Sequence, residues 1–151
     1  MTTHRYSLTA SWSGSTGNGY DGYDRSHRVT PTGTAGFAVS ADPAFLGDAT
    51  TVNPEQLVLA AASSCQLLSF LAVAARSRVD IVDYVDEATA NMPDGEPPVR
   101  ITQITLRPRI TVRGAEPTKV ERLVRIAHDQ CYVANSLSTS ISIEPHIEVI
   151  P

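Results

Sequence analysis

Cysteine is scarce in this chain, with two among 151 residues. Two are too few for the disulfide framework of a small secreted domain, and they do not form a C-x-x-C pair. Basic charge is also in short supply: 12 Lys and Arg against 16 Asp and Glu leave a net charge of −4. The basic residues are scattered, so nucleic acid is not an expected partner. The glycines form neither a G-x-G-x-x-G nor a Walker pattern, and H-E-x-x-H is absent. The opening "MTTHRYSLTASW" has no basic segment, apolar core or cleavage site of a secretory signal, so a cytoplasmic location is expected. Hydrophobic residues still make up 42%, enough for one sizeable core, and a single domain over 1–151 is the starting expectation.

One long apolar run is present, "NPEQLVLAAASSCQLLSFLAVAA" from Asn53 to Ala75, with Cys65 near its middle. Asn53 is a helix cap, Pro54 suits a first turn, Glu55 complements the helix dipole, and Gln56 stands at capping-box spacing. The helix is expected to reach about Arg76. Its length approaches that of a membrane span, but Ser63, Ser64, Gln66 and Ser69 interrupt it and alanine dilutes it, so a buried central helix is expected and a membrane is not. Being apolar on every side, it must be covered by sheet, by another helix or by a partner subunit.

Before this helix, Tyr6, Leu8, Ala10 and Trp12 alternate with polar residues as in a half-buried strand. The loop "SGSTGNGYDGYD" follows, then two strands, Arg25 to Pro31 and Gly36 to Ala41, joined at "TPTG", and a long loop "ADPAFLGDATTV". After it, Val79 to Asn91 and Val99 to Arg113 read as a hairpin around "MPDGEPP", with a bulge expected near Thr102 and Gln103. From Pro117, the stripe Val120, Leu123, Val124 and Ala127 predicts an amphipathic helix that Cys131 extends. Odd-parity residues from Leu137 to Val149 predict one last strand. This order, β-β-β-α-β-β-α-β, implies an α+β fold with helices packed on antiparallel sheet.

Apolar burial raises a thiol's pKa and makes it inert unless a cation favours the thiolate, so Cys65 reads first as a small core residue and second as a nucleophile. Cys131 reads as the end of an apolar stripe or as a second working thiol. His128 and Cys131, three apart, with His27 as a third ligand, carry too little pattern for a metal site, and none is expected. A Cys–His–Asp hydrolase using His27 or His128 lacks a nucleophile turn around Cys65.

Taken together, "NPEQL" opening a helix, Cys65 ten residues after Glu55, the second cysteine in "AHDQCYVANS" and the strand "SISIEP" resemble the OsmC/Ohr family of thiol peroxidases over essentially the whole chain. The segments "SSCQLL" and "QCYVANS" depart from the family's usual residues around both cysteines. The resemblance implies an OsmC-like fold, antiparallel sheets packed on a long central helix in an intertwined homodimer, with a site at each subunit interface. It further implies a hydroperoxide reductase in which Cys65 is the peroxidatic and Cys131 the resolving cysteine, completed by an N-terminal arginine and Glu55. Arg25 is the favoured arginine, with Arg28 the alternative and His27 a helper on the Arg25 face. No cofactor is implied beyond an external dithiol of lipoyl type. A rival reading keeps the fold and thiols but makes the protein a redox-sensing or small-ligand-binding dimer. Ten helical residues span ~15 Å, so Glu55 cannot touch Cys65 of its own helix; either Arg25 bridges them or Glu55 comes from the partner chain, and the second is the expectation.

Overall fold

The computed structural model describes residues 1–95 and 97–151; Glu96, within the expected "MPDGEPP" turn, lies outside the described residues. The chain divides into two compact units, Met1–Leu57 and Val58–Pro151.

In the first unit, β1 (Leu8–Ser11), β2 (His27–Pro31) and β3 (Phe37–Val39) form an antiparallel meander. Leu8 pairs with Pro31 and His27 with Val39. The β2–β3 turn falls at the expected place, with the N–H of Thr34 donating to the Pro31 carbonyl at 3.2 Å and Gly33 at φ +81°. Strand β1 forms where alternation placed it, but it is not half-buried: Tyr6 is 92% and Leu8 59% exposed. The period of a strand fixes which residues share a face and leaves open what covers that face. The loop after β3 is tightly folded. Asp48 accepts from the Thr50 N–H at 2.8 Å, and a Cβ at Gly47 would stand 1.7 Å from the Ala41 carbonyl oxygen, so only glycine fits there.

Helix α1 spans Pro54–Arg76, as its capping signals and length indicated. Asn53 Oδ1 accepts from the Gln56 N–H at 2.8 Å while Gln56 Oε1 accepts from the Asn53 N–H at 3.0 Å, a reciprocal capping box.

The second unit holds two three-stranded sheets, ordered β4-β7-β9 and β5-β6-β8. Strands β4 (Asp80–Asp86) and β5 (Thr89–Asn91) come from the first arm of the expected hairpin, and β6 (Gln103–Leu106) and β7 (Pro108–Arg113) from the second. Strands β8 (Ser140–Ile143) and β9 (His146–Ile150) replace the single last strand. Each expected long strand is thus broken once, at Glu87–Ala88, Arg107 and Glu144–Pro145. The breaks meet: the Arg107 N–H donates to Asp86 Oδ1 at 2.7 Å, the Glu144 N–H to the Leu106 carbonyl at 2.9 Å, and Arg107 Nε to Glu144 Oε2 at 2.9 Å.

The sheets are mixed rather than purely antiparallel, because β6–β8 and β7–β9 are parallel pairs. A parallel return needs a crossover, here α2 (Pro117–Asp129) and the short α3 (Tyr132–Ser136), which periodicity did not reveal. The register shift lies between Ile81 and Asp83, not at Thr102 and Gln103, where the change of parity marks the start of β6.

The main core joins Phe70, Val73 and Ala74 of α1 to Ile110 and Val112 of β7 and to Val120, Leu123, Val124 and Ala127 of α2. Each large side chain buried this way contributes roughly 1.5–3 kcal/mol. The fold is α+β, with α1 built into the core along one stripe only. By length and composition α1 is apolar enough to cross a membrane, yet just 28% of its most apolar stretch is buried within the chain. On its open side Leu68 is 66% and Leu71 39% exposed. The all-round cover expected for this helix is therefore not supplied by its own chain.

Candidate active site

The two cysteines, 66 positions apart in the chain, come together in the second unit. Helix α1 carries Cys65 on the side between its buried and open stripes, half-buried. The crossover returns Cys131 beside it, fully buried as the N-cap of α3. The Val133 N–H donates to Cys65 Sγ at 3.5 Å and the Ala134 N–H to Cys131 Sγ at 3.4 Å, both within the distances of a sulfur acceptor. Both thiols are free.

Their acidities are pushed apart. Burial works against ionisation of Cys65, but hydrogen bonds from the Val133 N–H, the Cys131 thiol, the Tyr132 N–H and Ser69 outweigh it, so its pKa falls below the ordinary thiol value. Burial raises the pKa of Cys131, and Cys65 adds to the rise because their bond favours the neutral Cys131. The two titrate as a pair, with Cys65 the first to lose its proton.

Cys65 opens onto a groove of about 470 Å³ lined by Ala61, Leu68, Ser69, Ala72, Arg76 and Tyr132 among others. The lining is mostly apolar, with a cation at one end, and suits an organic molecule better than a small hydrophilic one.

Arg25 and His27 share a shallow hollow of about 260 Å³ with Trp12, Thr16 and Tyr23 in the first unit. Arg25 lies just before β2 rather than inside it. Its guanidinium donates to the Tyr23 carbonyl at 2.6 Å and the Tyr20 carbonyl at 2.5 Å. It also stacks 4.0 Å from the Tyr23 ring centroid and 4.7 Å from that of Tyr20. The glycine-rich loop is therefore a holder for Arg25, a role its composition did not announce. His27 Nδ1 lies 2.9 Å from the Arg25 carbonyl, which can only accept, so Nδ1 is the donor in this contact. Arg28 does not line this hollow and donates to the Gly36 carbonyl at 3.1 Å. Glu55 occupies the first turn of α1, where a carboxylate complements the helix dipole.

Among the described residues no group of three or more His, Cys, Asp or Glu gathers as a metal site would. Sequence reasoning did not pick out Ser69, Tyr132 or Val133. The serine alone left a signal, standing one helical turn after Cys65, where i and i+4 side chains are neighbours.

A family model described as OsmC-like protein matches residues 47–146. A search of curated proteins finds no match. Among solved structures, the chain is similar to an OsmC-like protein of unknown function from Vibrio cholerae, with 27% identity, a TM-score of 0.86, and 95% of this chain and 99% of that one covered. A putative organic hydroperoxide resistance protein from Vibrio cholerae with captopril bound in one of its active sites shares the fold at 23% identity and a TM-score of 0.72, covering 97% of this chain and 93% of that one. So does an organic hydroperoxide resistance protein from Elizabethkingia anophelis, at 19% identity and a TM-score of 0.72, covering 99% of each chain.

Proposed function

Since the chain belongs to the OsmC-like family, we propose that it is a thiol-dependent peroxidase that reduces organic hydroperoxides, with Cys65 as the peroxidatic and Cys131 as the resolving cysteine. The observation that carries this reading is the pair of free thiols served by neighbouring backbone N–H groups, with Cys65, the more acidic, on an apolar groove and Cys131 buried. The names of the hydroperoxide-resistance relatives support it.

The Cys65 thiolate attacks the distal peroxide oxygen, the O–O bond breaks, and the alkoxide leaves as an alcohol after taking a proton. Cys65 is left as a sulfenic acid. The Cys131 sulfur then attacks the Cys65 sulfur, water leaves, and a disulfide forms; an external dithiol, of lipoyl type by family resemblance, reduces it to two thiols. Arg25, held by its loop, supplies forked donors for the peroxide oxygens, and Glu55 orients the guanidinium. His27 assists on the Arg25 side.

The working form is a homodimer in which a second copy covers the open stripe of α1 and the exposed apolar residues of β1. The stripe of Ala61, Leu68 and Leu71 suits a protein partner better than lipid, because Ser64 interrupts it. In this assembly the Glu55 of each site comes from the partner chain.

The test is consumption of cumene hydroperoxide with excess dihydrolipoamide, beside Cys65→Ser. Many turnovers, lost in the variant, support the peroxidase; one equivalent per thiol pair points to a sensor, and none to an inert or ligand-binding dimer.

A further inference from the structure

We infer that Gln66 is a positioning residue for the thiol pair: its buried side-chain amide, bonded to the Val124 carbonyl, fixes the slide of α1 along α2 and so sets how Cys65 meets Cys131. The inference deepens the proposed reading, and it rests on that reading in taking the two cysteines as disulfide partners.

Gln66 follows Cys65 on α1 but faces the core rather than the groove, and it is 1% exposed. Its Nε2 donates to the Val124 carbonyl at 3.2 Å, and because a carbonyl only accepts, the orientation of the amide is settled. Val124 lies inside α2, where that carbonyl already serves the helix's own ladder. Gln66 Oε1 has no partner among the described residues. A buried glutamine with its acceptor unpaired costs free energy that an apolar side chain of the same size would not. Stability therefore does not account for a glutamine here.

What the side chain supplies is direction. Around it the core joins Phe70, Val73 and Ala74 of α1 to Val120, Leu123, Val124 and Ala127 of α2, and such apolar contacts are non-directional. A hydrogen bond to one carbonyl is directional. It ties the residue beside Cys65 to a point seven residues before Cys131, about 10 Å at the helical rise. The tolerance at the thiols is small, since a disulfide needs Cα atoms ~4.4–6.8 Å apart and a narrow range of torsion. A slight slide of α1 would thus change how readily the pair closes while leaving the core filled.

The measurement is the equilibrium of the reduced protein with glutathione buffers of stepped ratio, without oxygen, quenched in acid and read as intact mass after alkylation. In this exchange the Cys65 thiolate attacks a sulfur of oxidised glutathione and expels one glutathione thiolate; the Cys131 sulfur then attacks the Cys65 sulfur and expels the second. Two electrons and two protons pass from the protein's thiols to glutathione. Gln66→Met matches glutamine in size and carries no donor. It is expected to lower the equilibrium constant for disulfide formation roughly three- to tenfold, ~15–30 mV, while the urea midpoint of the reduced protein stays parental or rises. Phe70→Leu, one turn along the same face, loosens the same core and leaves the amide bond in place. It is expected to lower the urea midpoint and to keep the parental equilibrium constant.

A parental constant in Gln66→Met overturns the inference. So does an equal shift in Phe70→Leu, which would assign the effect to packing in general. Should Gln66→Met fail to fold, as read by circular dichroism, Gln66→Asn, whose amide is one methylene too short for Val124, decides by the same comparison. A parent that forms no Cys65–Cys131 disulfide removes the pair and the inference together, whereas a parent that forms one and is matched by the Gln66 variants removes the inference alone. No hydroperoxide is used, so this result stands apart from the turnover assay of the proposed function.

Discussion

Ser63 donates its hydroxyl to Asp86 Oδ2 at 2.5 Å, two residues before Cys65 on α1. The other oxygen of Asp86 accepts the Arg107 N–H at 2.7 Å, where the β6–β7 ribbon bends. One carboxylate therefore ties the cysteine-bearing helix to the place where the sheet breaks. Asp86→Ala leaves two donors without their acceptor and is expected to cost about 1–3 kcal/mol. Urea unfolding checks this as a lower midpoint with unchanged slope.

Tyr84 carries a buried hydroxyl with no partner among the described residues. Burial first, and then the nearby Asp86 carboxylate, push its pKa well above the usual phenol range. The fold favours the neutral phenol, so this contribution to stability is intact below the unfolded-state value of about 10 and is lost as pH rises above it. Tyr84→Phe is expected to gain up to about 1 kcal/mol at neutral pH and to flatten the fall in stability above about pH 10. Thermal melts of both proteins from pH 7 to 11 test the pair of effects.

Removal of Cys131 separates attack from resolution. Cys131→Ser is expected to consume one equivalent of hydroperoxide in forming Cys65 sulfenic acid and a second in converting it to sulfinic acid, a gain of two oxygens in the intact mass. Sustained dithiol-dependent turnover at the parental rate in this variant would remove Cys131 from the resolving role.

The two arginines near β2 are placed differently, and their variants should differ. Arg25→Ala is expected to lower kcat/KM for cumene hydroperoxide on the order of 10²-fold, the scale for loss of a charged donor. Arg28 does not line the hollow that holds Arg25 and His27 and donates to the Gly36 carbonyl, so Arg28→Ala is expected to leave turnover near parental and to cost stability of about 1 kcal/mol or less. The opposite ranking would move the site arginine to Arg28.

Leu68, 66% exposed on the open side of α1, reports on assembly. Leu68→Glu is expected to shift the protein from dimer to monomer in sedimentation at micromolar concentration, since an unpaired carboxylate in an apolar interface costs several kcal/mol. A parental monomer, or a dimer indifferent to this change, would count against the proposed pairing.

Helix α1 was legible almost to the residue because its signals are local: a capping box at Asn53 and Gln56, a first-turn proline, and a long, mostly apolar run to Arg76. The stripe of α2 was equally plain, because every fourth or third residue from Val120 to Ala127 is buried. The breaks at Ala88, Arg107 and Pro145 were not, because each lies inside a run whose alternation continues on both sides. Only the contacts among Asp86, Arg107 and Glu144 make them bends. The parallel pairs were hidden for a related reason, since nothing in β8 names β6 as its neighbour. Arg25 and His27 were read as sharing one side, and they do, but the tyrosine holder around Arg25 arises from contacts of a loop with no period to read.

By itself, the sequence determined the α+β class, the two long helices, the family resemblance and the two thiols, because helix caps, hydrophobic period and residue chemistry act over a few neighbouring positions. Tertiary structure alone decided that Cys65 and Cys131 meet, that the Val133 amide faces the first sulfur, and that one side of α1 is left open. Those relations depend on how distant segments pack and cross over, and the acidity of a thiol follows its surroundings in space rather than its neighbours in the chain.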